Sequence, residues 1–178
     1  AGFAARAPRA ELFFELPWDA DLTPWGEAVA AAGARAKIRC GGVTPDLIPP
    51  VPRIAEFLRV CAQAQVGLTF TAGLHHPVRS VHPLTYEDDA PQAMMHGFLN
   101  VFVAAALVAR GDLSDLDLLA ILEETDPSAF RIEGDSVAWR DELVVAGDVD
   151  AARSGFARSF GSCSFAEPVE DLQQLGML

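Results

Sequence analysis

Strand-length apolar runs alternate with helix-length segments through the first 77 residues, and this alternation constrains the fold more than any other feature. Residues 11–17 are rich in Phe and Leu, and Pro17 closes them as a first strand. After a loop, Thr23 is placed to cap a helix with Pro24 at its first position, running to Gly33. Residues 35–40 are a second strand. A proline-stiffened loop then leads into a helix over 51–65, with Ile54, Phe57, Leu58 and Cys61 on one face. Residues 66–72 are a third strand. Strands joined by helical crossovers pair in parallel and are covered by those helices.

The pleat sorts the side chains of these strands. Lys37 and Arg39 share a face with Thr69, Thr71 and Glu15, while Ile38, Cys40, Leu68, Phe70 and Ala72 take the other. An open doubly wound sheet is usually apolar on both faces. A polar inner face therefore predicts an α/β fold of the (β/α) TIM-barrel type. A complete barrel needs about 250 residues. The expectation is a partial barrel, corresponding to the C-terminal half, within a single α/β domain over 1–178. The chain opens on Ala-Gly, which fits a start inside a longer polypeptide, and residues 1–9 read as a loosely fixed end.

The second half departs from the alternation. Residues 78–92 read as irregular. An apolar helix is expected over 93–110, another over 115–124, and a β-hairpin over 130–139 turning at Gly134-Asp135. Residues 148–156 read as helical and 159–165 as a turn or short strand. Ser164 and Glu167 have capping-box spacing before a last helix.

Hydrophobic residues make up 51% of the chain, enough for a substantial core. A formal net charge of −12 argues against nucleic acid and against anionic membrane surfaces. No apolar run reaches membrane length, and no signal peptide is recognisable. Three cysteines without CxxC spacing fit a reducing, cytoplasmic setting. An anionic ligand would need a local positive pocket, and the expected partner is a small anionic metabolite. The sequence names no cofactor. The helix over 93–110 offers a face through which copies of the chain could form a homo-oligomer.

Lys37 is the single lysine, against twelve arginines. An amine on a buried strand must be paired or neutral, and burial together with Arg39 favours the neutral, nucleophilic form. Such a lysine can form a Schiff base with a carbonyl compound. A salt bridge to Glu15 is the alternative, and Glu15 would in either case orient the amine. Gly41-Gly42, directly after the strand, permits close approach of backbone to a phosphate or carboxylate. All four histidines fall between 75 and 96, with His75-His76 following the third strand at the same end of the sheet. Adjacent side chains point apart, so one of the pair is expected in the site as acid or base and the other beneath it. Arg39 and Arg79 are candidates to hold anionic oxygens. Ser162 and Ser164, around Cys163 and ahead of the last helix, offer hydroxyls for an anion; for Cys163 the helix start offers a lowered pKa, with a small packing residue as the stronger reading. A metal set of His75 or His76 with His96 and Glu87 can be drawn, but no HxH or HxxxH spacing supports it.

Three segments, Ala36-Lys37-Ile38-Arg39-Cys40-Gly41-Gly42, Thr71-Ala72-Gly73-Leu74-His75-His76-Pro77 and Phe160-Gly161-Ser162-Cys163-Ser164-Phe165-Ala166-Glu167-Pro168, together resemble a family of uncharacterised bacterial proteins. That resemblance implies no activity. More distantly, Lys37 on a strand running into Gly41 and Gly42 looks like the strand lysine and phosphate loop of class I aldolase barrels. It implies lyase or isomerase chemistry through a Schiff base, although no second strand lysine is present. The expected function is an enzyme for a small anionic carbonyl compound. A non-catalytic metabolite-binding domain and a metal-dependent hydrolase or lyase are the alternatives.

Overall fold

The computed structural model describes residues 10–178, so the expectation for residues 1–9 lies outside it. In chain order the elements are β1 (Phe13–Glu15), α1 (Thr23–Ala31), β2 (Arg35–Arg39), α2 (Val51–Gln63), β3 (Leu68–Thr71), β4 (Ser80–Pro83), β5 (Gln92–Met95), α3 (Phe98–Arg110), α4 (Asp115–Glu123), β6 (Phe130–Glu133), β7 (Ser136–Trp139), β8 (Glu142–Val144), α5 (Ala146–Ala151), β9 (Ala157–Gly161) and α6 (Glu167–Gln174). A π-turn, Ala152–Phe156, joins α5 to β9.

β1, β2, β3 and β9 form one parallel sheet in that order. The fold is mixed α/β, with β1, β2 and β3 side by side in sequence order and β9 beside β3. Among the described residues the sheet has four strands and does not close, so no complete barrel is formed. The remaining length goes into an antiparallel pair, β4-β5, and a three-stranded meander, β6-β7-β8, both inserted between β3 and β9.

The two faces of the sheet divide as the pleat requires. Ala36, Ile38, Leu68 and Phe70 are buried beneath helices. Phe70 meets Phe57 of α2 and Phe102 of α3 edge-on, with ring centres 6.1 and 5.4 Å apart, and Phe160 of β9 stacks on Phe98. This aromatic cluster fastens β3 and β9 to the helices. The opposite face carries Glu15, Lys37, Arg39, Thr69 and Ser159; Thr69 Oγ1 donates to the Ser159 carbonyl at 2.6 Å.

Several local expectations shift. Thr23 does not cap α1: the helix already includes it, and its N–H is met instead by Asp21 Oδ1 at 3.0 Å. The stretch expected to be irregular pairs as β4 with β5, taking the first residues assigned to the apolar helix. α3 then starts at Phe98. Most of its residues are buried inside this chain, with Leu99 and Phe102 partly exposed. A third strand, β8, extends the expected hairpin.

Asn100 interrupts the apolar run of α3 for a reason. It is fully buried, donates from Nδ2 to the carbonyls of Ile121 and Glu124 at the end of α4, and accepts from the Arg79 N–H at 2.9 Å. One side chain thus joins α3, α4 and the segment leading to β4. Removing it strands buried partners as well as losing its bonds. Asn100→Ala is expected to lower stability by about 2–4 kcal/mol in urea denaturation, well beyond an average point mutation.

Candidate functional site

The loops at the carboxyl ends of β2, β3 and β9 meet, as the ends of parallel strands do where α/β proteins bind ligands. They enclose a cleft of about 650 Å³. Their closeness depends on two glycines. Gly73 has φ +75°, following Ala72 at φ +56°, and a Cβ at Gly73 would lie 2.7 Å from the Gly41 Cα. Gly41 is therefore needed for contact between two loops and is buried behind the cleft, not presented to a ligand. Gly42 does reach the cleft wall, but its lack of a side chain makes room for Leu47.

Six of the sequence candidates line this cleft: Arg39, Gly42, Thr71, His75, His76 and Ser162. Arg39 is the one lysine or arginine among the lining residues. The rest lie elsewhere. Lys37 stands two residues earlier on β2, outside the lining, and its Nζ pairs with Glu15 Oε2 at 2.9 Å. Its side chain is 31% exposed, so the burial that the nucleophile reading required is missing, and the salt bridge to Glu15 is what forms. The Lys37 ammonium, with Arg39 at 3.5 Å, holds the Glu15 carboxyl below its usual value against a desolvation that pulls the other way. Arg79 sits back from the cleft near Glu123, where burial lowers its guanidinium from the ordinary value. Ser164 closes the loop: its hydroxyl accepts from the Glu167 N–H and its carbonyl accepts from Ser162 Oγ. Glu167 does not reach back to complete a capping box, because its carboxylate is engaged by His75.

The histidine pair does not split as expected. His75 and His76 both turn toward α6, with ring centres 6.3 Å apart. His75 Nδ1 meets Glu167 Oε2 at 3.1 Å, and His76 Nδ1 meets Asp171 Oδ2 at 2.6 Å. Glu167 and Asp171 are four residues apart and so share one face of the helix. α6 has no buried residue, and these pairs attach it together with Leu172, which packs against the core. His82 stacks on His76 at 3.3 Å between ring centres. Ser80 Oγ gives its proton to the Val78 carbonyl and therefore accepts from His82 Nε2–H at 2.7 Å. Burial, with the neighbouring His76, keeps the His82 imidazole below its ordinary value.

Cys163 is the residue that sequence reasoning misplaced. It is exposed at the cleft, with Sγ 3.7 Å from His75 Nε2 and 3.8 Å from Nδ1. Tyr86 OH lies 3.9 Å from the same sulfur and donates to Glu167 Oε2 at 3.3 Å. Engaged by the Cys163 thiol and the Glu167 carboxylate, the Tyr86 phenol is pushed up to about 12 and remains a donor across neutral pH. Nothing local marks Tyr86, the sole tyrosine, as a site residue. The Cys163 and Glu167 signal was present only as a motif beside a helix start.

Among the described residues no three His, Cys, Asp or Glu side chains converge as a metal requires. The set drawn from His96 and Glu87 does not assemble: Glu87 is exposed, and His96 is buried with Nε2 at 2.7 Å from the Pro49 carbonyl. Among the described residues no helix is long and apolar enough to cross a membrane. Comparisons with protein families, curated proteins and solved structures found no match, so the site is read from its own geometry.

Two expectations follow for the loops. Gly73→Ala combines a positive φ with a collision against the Gly41 backbone, and is expected to cost at least about 3 kcal/mol in chemical denaturation. Burial pushes His96 down to about 4, and its Nδ1 has no partner. The unfolded chain takes up that proton near 6.5 and the folded chain only near 4, so stability falls as pH drops through this window. The His96 contribution to that loss is about 3 kcal/mol. Stability measured from pH 7 downward is expected to fall less steeply in His96→Gln than in the parent.

Proposed function

We propose that this chain is an enzyme of the isomerase or lyase class acting on a small anionic carbonyl compound, with His75 as its general acid and base. The observation that carries the reading is the placement of His75. Its Nδ1 is taken by Glu167, which orients the ring and leaves Nε2 toward a cleft that also holds Arg39. Arg39 would take the carboxylate or phosphate of the ligand. The proton on the carbon next to the carbonyl then faces His75 Nε2, which removes it and returns it to the same or a neighbouring atom. The negative oxygen formed meanwhile is met by the Tyr86 hydroxyl, which turns its single proton from Glu167 to that oxygen.

The sheet order supports the partial-barrel reading, since β1, β2 and β3 follow one another as in a sector of a barrel with ligands at the carboxyl ends of the strands. In this reading Lys37 acts through Glu15, helping to position Arg39, and forms no Schiff base. A metabolite-binding domain would use the same Arg39-lined cleft without proton transfer.

The test is exchange of carbon-bound protons in deuterated buffer. A panel of 2-oxo acids and phosphorylated ketones is followed by NMR. At least one should exchange faster with protein than without, and His75→Gln should slow it roughly 100-fold or more. Exchange of none of them, or exchange that survives His75→Gln, rejects the acid–base role. Binding of a panel member without exchange assigns the cleft to recognition alone.

A further inference from the structure

We propose that Cys163 is a covalent nucleophile, activated by His75 and Glu167, that attacks the acyl carbon of a small activated ester or thioester. The proposal rests on the same cleft and on His75 as base, and adds a second activity to it. Cys163 is not an isolated thiol. His75 Nε2 stands 3.7 Å from its sulfur, Glu167 occupies the other ring nitrogen, Nδ1, at 3.1 Å, and the Tyr86 hydroxyl flanks the sulfur at 3.9 Å. The sulfur lies nearly equidistant from both ring nitrogens, but Nδ1 is already bonded to Glu167, so the thiol proton has Nε2 as its acceptor. Nucleophile, base and orienting carboxylate in this sequence are the parts of a thiol acyl-transfer site. The other two thiols contrast with it: Cys40 and Cys61 are buried, and burial pushes Cys61 up to about 12 and Cys40 further in the same direction.

The chemistry closes on these groups. His75 Nε2 takes the thiol proton as sulfur attacks the carbonyl carbon. A C–S bond forms and the carbonyl electrons move to oxygen; Arg39, and Tyr86 once its proton leaves Glu167, are the cleft-lining donors for that oxygen. The electrons then return, the bond to the leaving alcohol or thiol breaks, and His75 hands that group the proton. Water attacks the resulting thioester with His75 accepting its proton. The C–S bond breaks, the carboxylic acid leaves, and the proton goes back to sulfur. No oxidant or reductant is required.

The experiment reads the thiol directly. Alkylation by iodoacetamide is followed by peptide mass spectrometry from about pH 6 to 9, with Cys40 and Cys61 as internal references. p-Nitrophenyl benzoate then serves as an acyl donor that has no proton next to its carbonyl, so its outcome is independent of proton exchange and separates failure of this proposal from failure of the acid–base reading. Cys163 is expected to alkylate selectively, to remain reactive below pH 7, and to carry a benzoyl adduct. His75→Gln and Glu167→Gln should each slow benzoylation roughly tenfold or more. A parent-protein alkylation profile rising only through about pH 8.5, as for a free thiol, overturns the proposal whatever the variants do. So does a benzoyl adduct elsewhere, or benzoylation unchanged in a folded His75→Gln protein.

Discussion

Two loop backbones touch where Gly41 meets Gly73, and the cleft depends on that contact. A single methyl group on either glycine would separate the loops that follow β2 and β3. With them apart, Arg39 and His75 would no longer border a common space. The left-handed turn at Ala72 and Gly73 then swings the histidine pair back over the sheet toward α6. Backbone strain of this kind persists where surrounding structure holds it, and here the β3 pairing to both β2 and β9 does so. The charged groups are arranged around this fixed corner: Glu15 steadies Lys37 and Arg39 on the sheet, and the carboxylates of α6 steady the histidines above it.

What could be read from the residues was mainly local and periodic. The alternation of Ile38 and Phe70 with Lys37 and Thr69 sorted the two faces of the sheet, and the helical spacing of Ile54, Phe57, Leu58 and Cys61 located α2. His75 and His76 were placed at the correct end of the strands. The β4-β5 pair escaped notice because Pro83 and Pro91 suggest loops, and the proline at either place is tolerated on a short exposed ribbon. Closure of the barrel could not be judged from strand polarity alone, since a polar face suits an open, solvent-facing sheet equally well.

The site itself was half legible. Lys37 drew attention by rarity, yet rarity carries no information about burial, and Glu15, directly opposite it on the neighbouring strand, was enough to hold it in a partly exposed pair. Cys163, Glu167 and Asp171 were visible as residues but not as partners of the histidines. Their contacts join positions some ninety apart in the chain and arise only because β9 docks on β3. Tyr86 arrives from a third direction, on the loop between β4 and β5. No spacing rule links such groups; the sheet order does.

The pairing of β9 with β3 also sets a timetable. Strands β1 to β3 and their connecting helices precede β9 by many residues, and their strand pairings join neighbours in sequence order. The thiol, its carboxylate and the helix that anchors the histidines come only with β9 and the residues after it. During synthesis, therefore, His75 and His76 are made well before Cys163, and the two come together only when β9 pairs with β3.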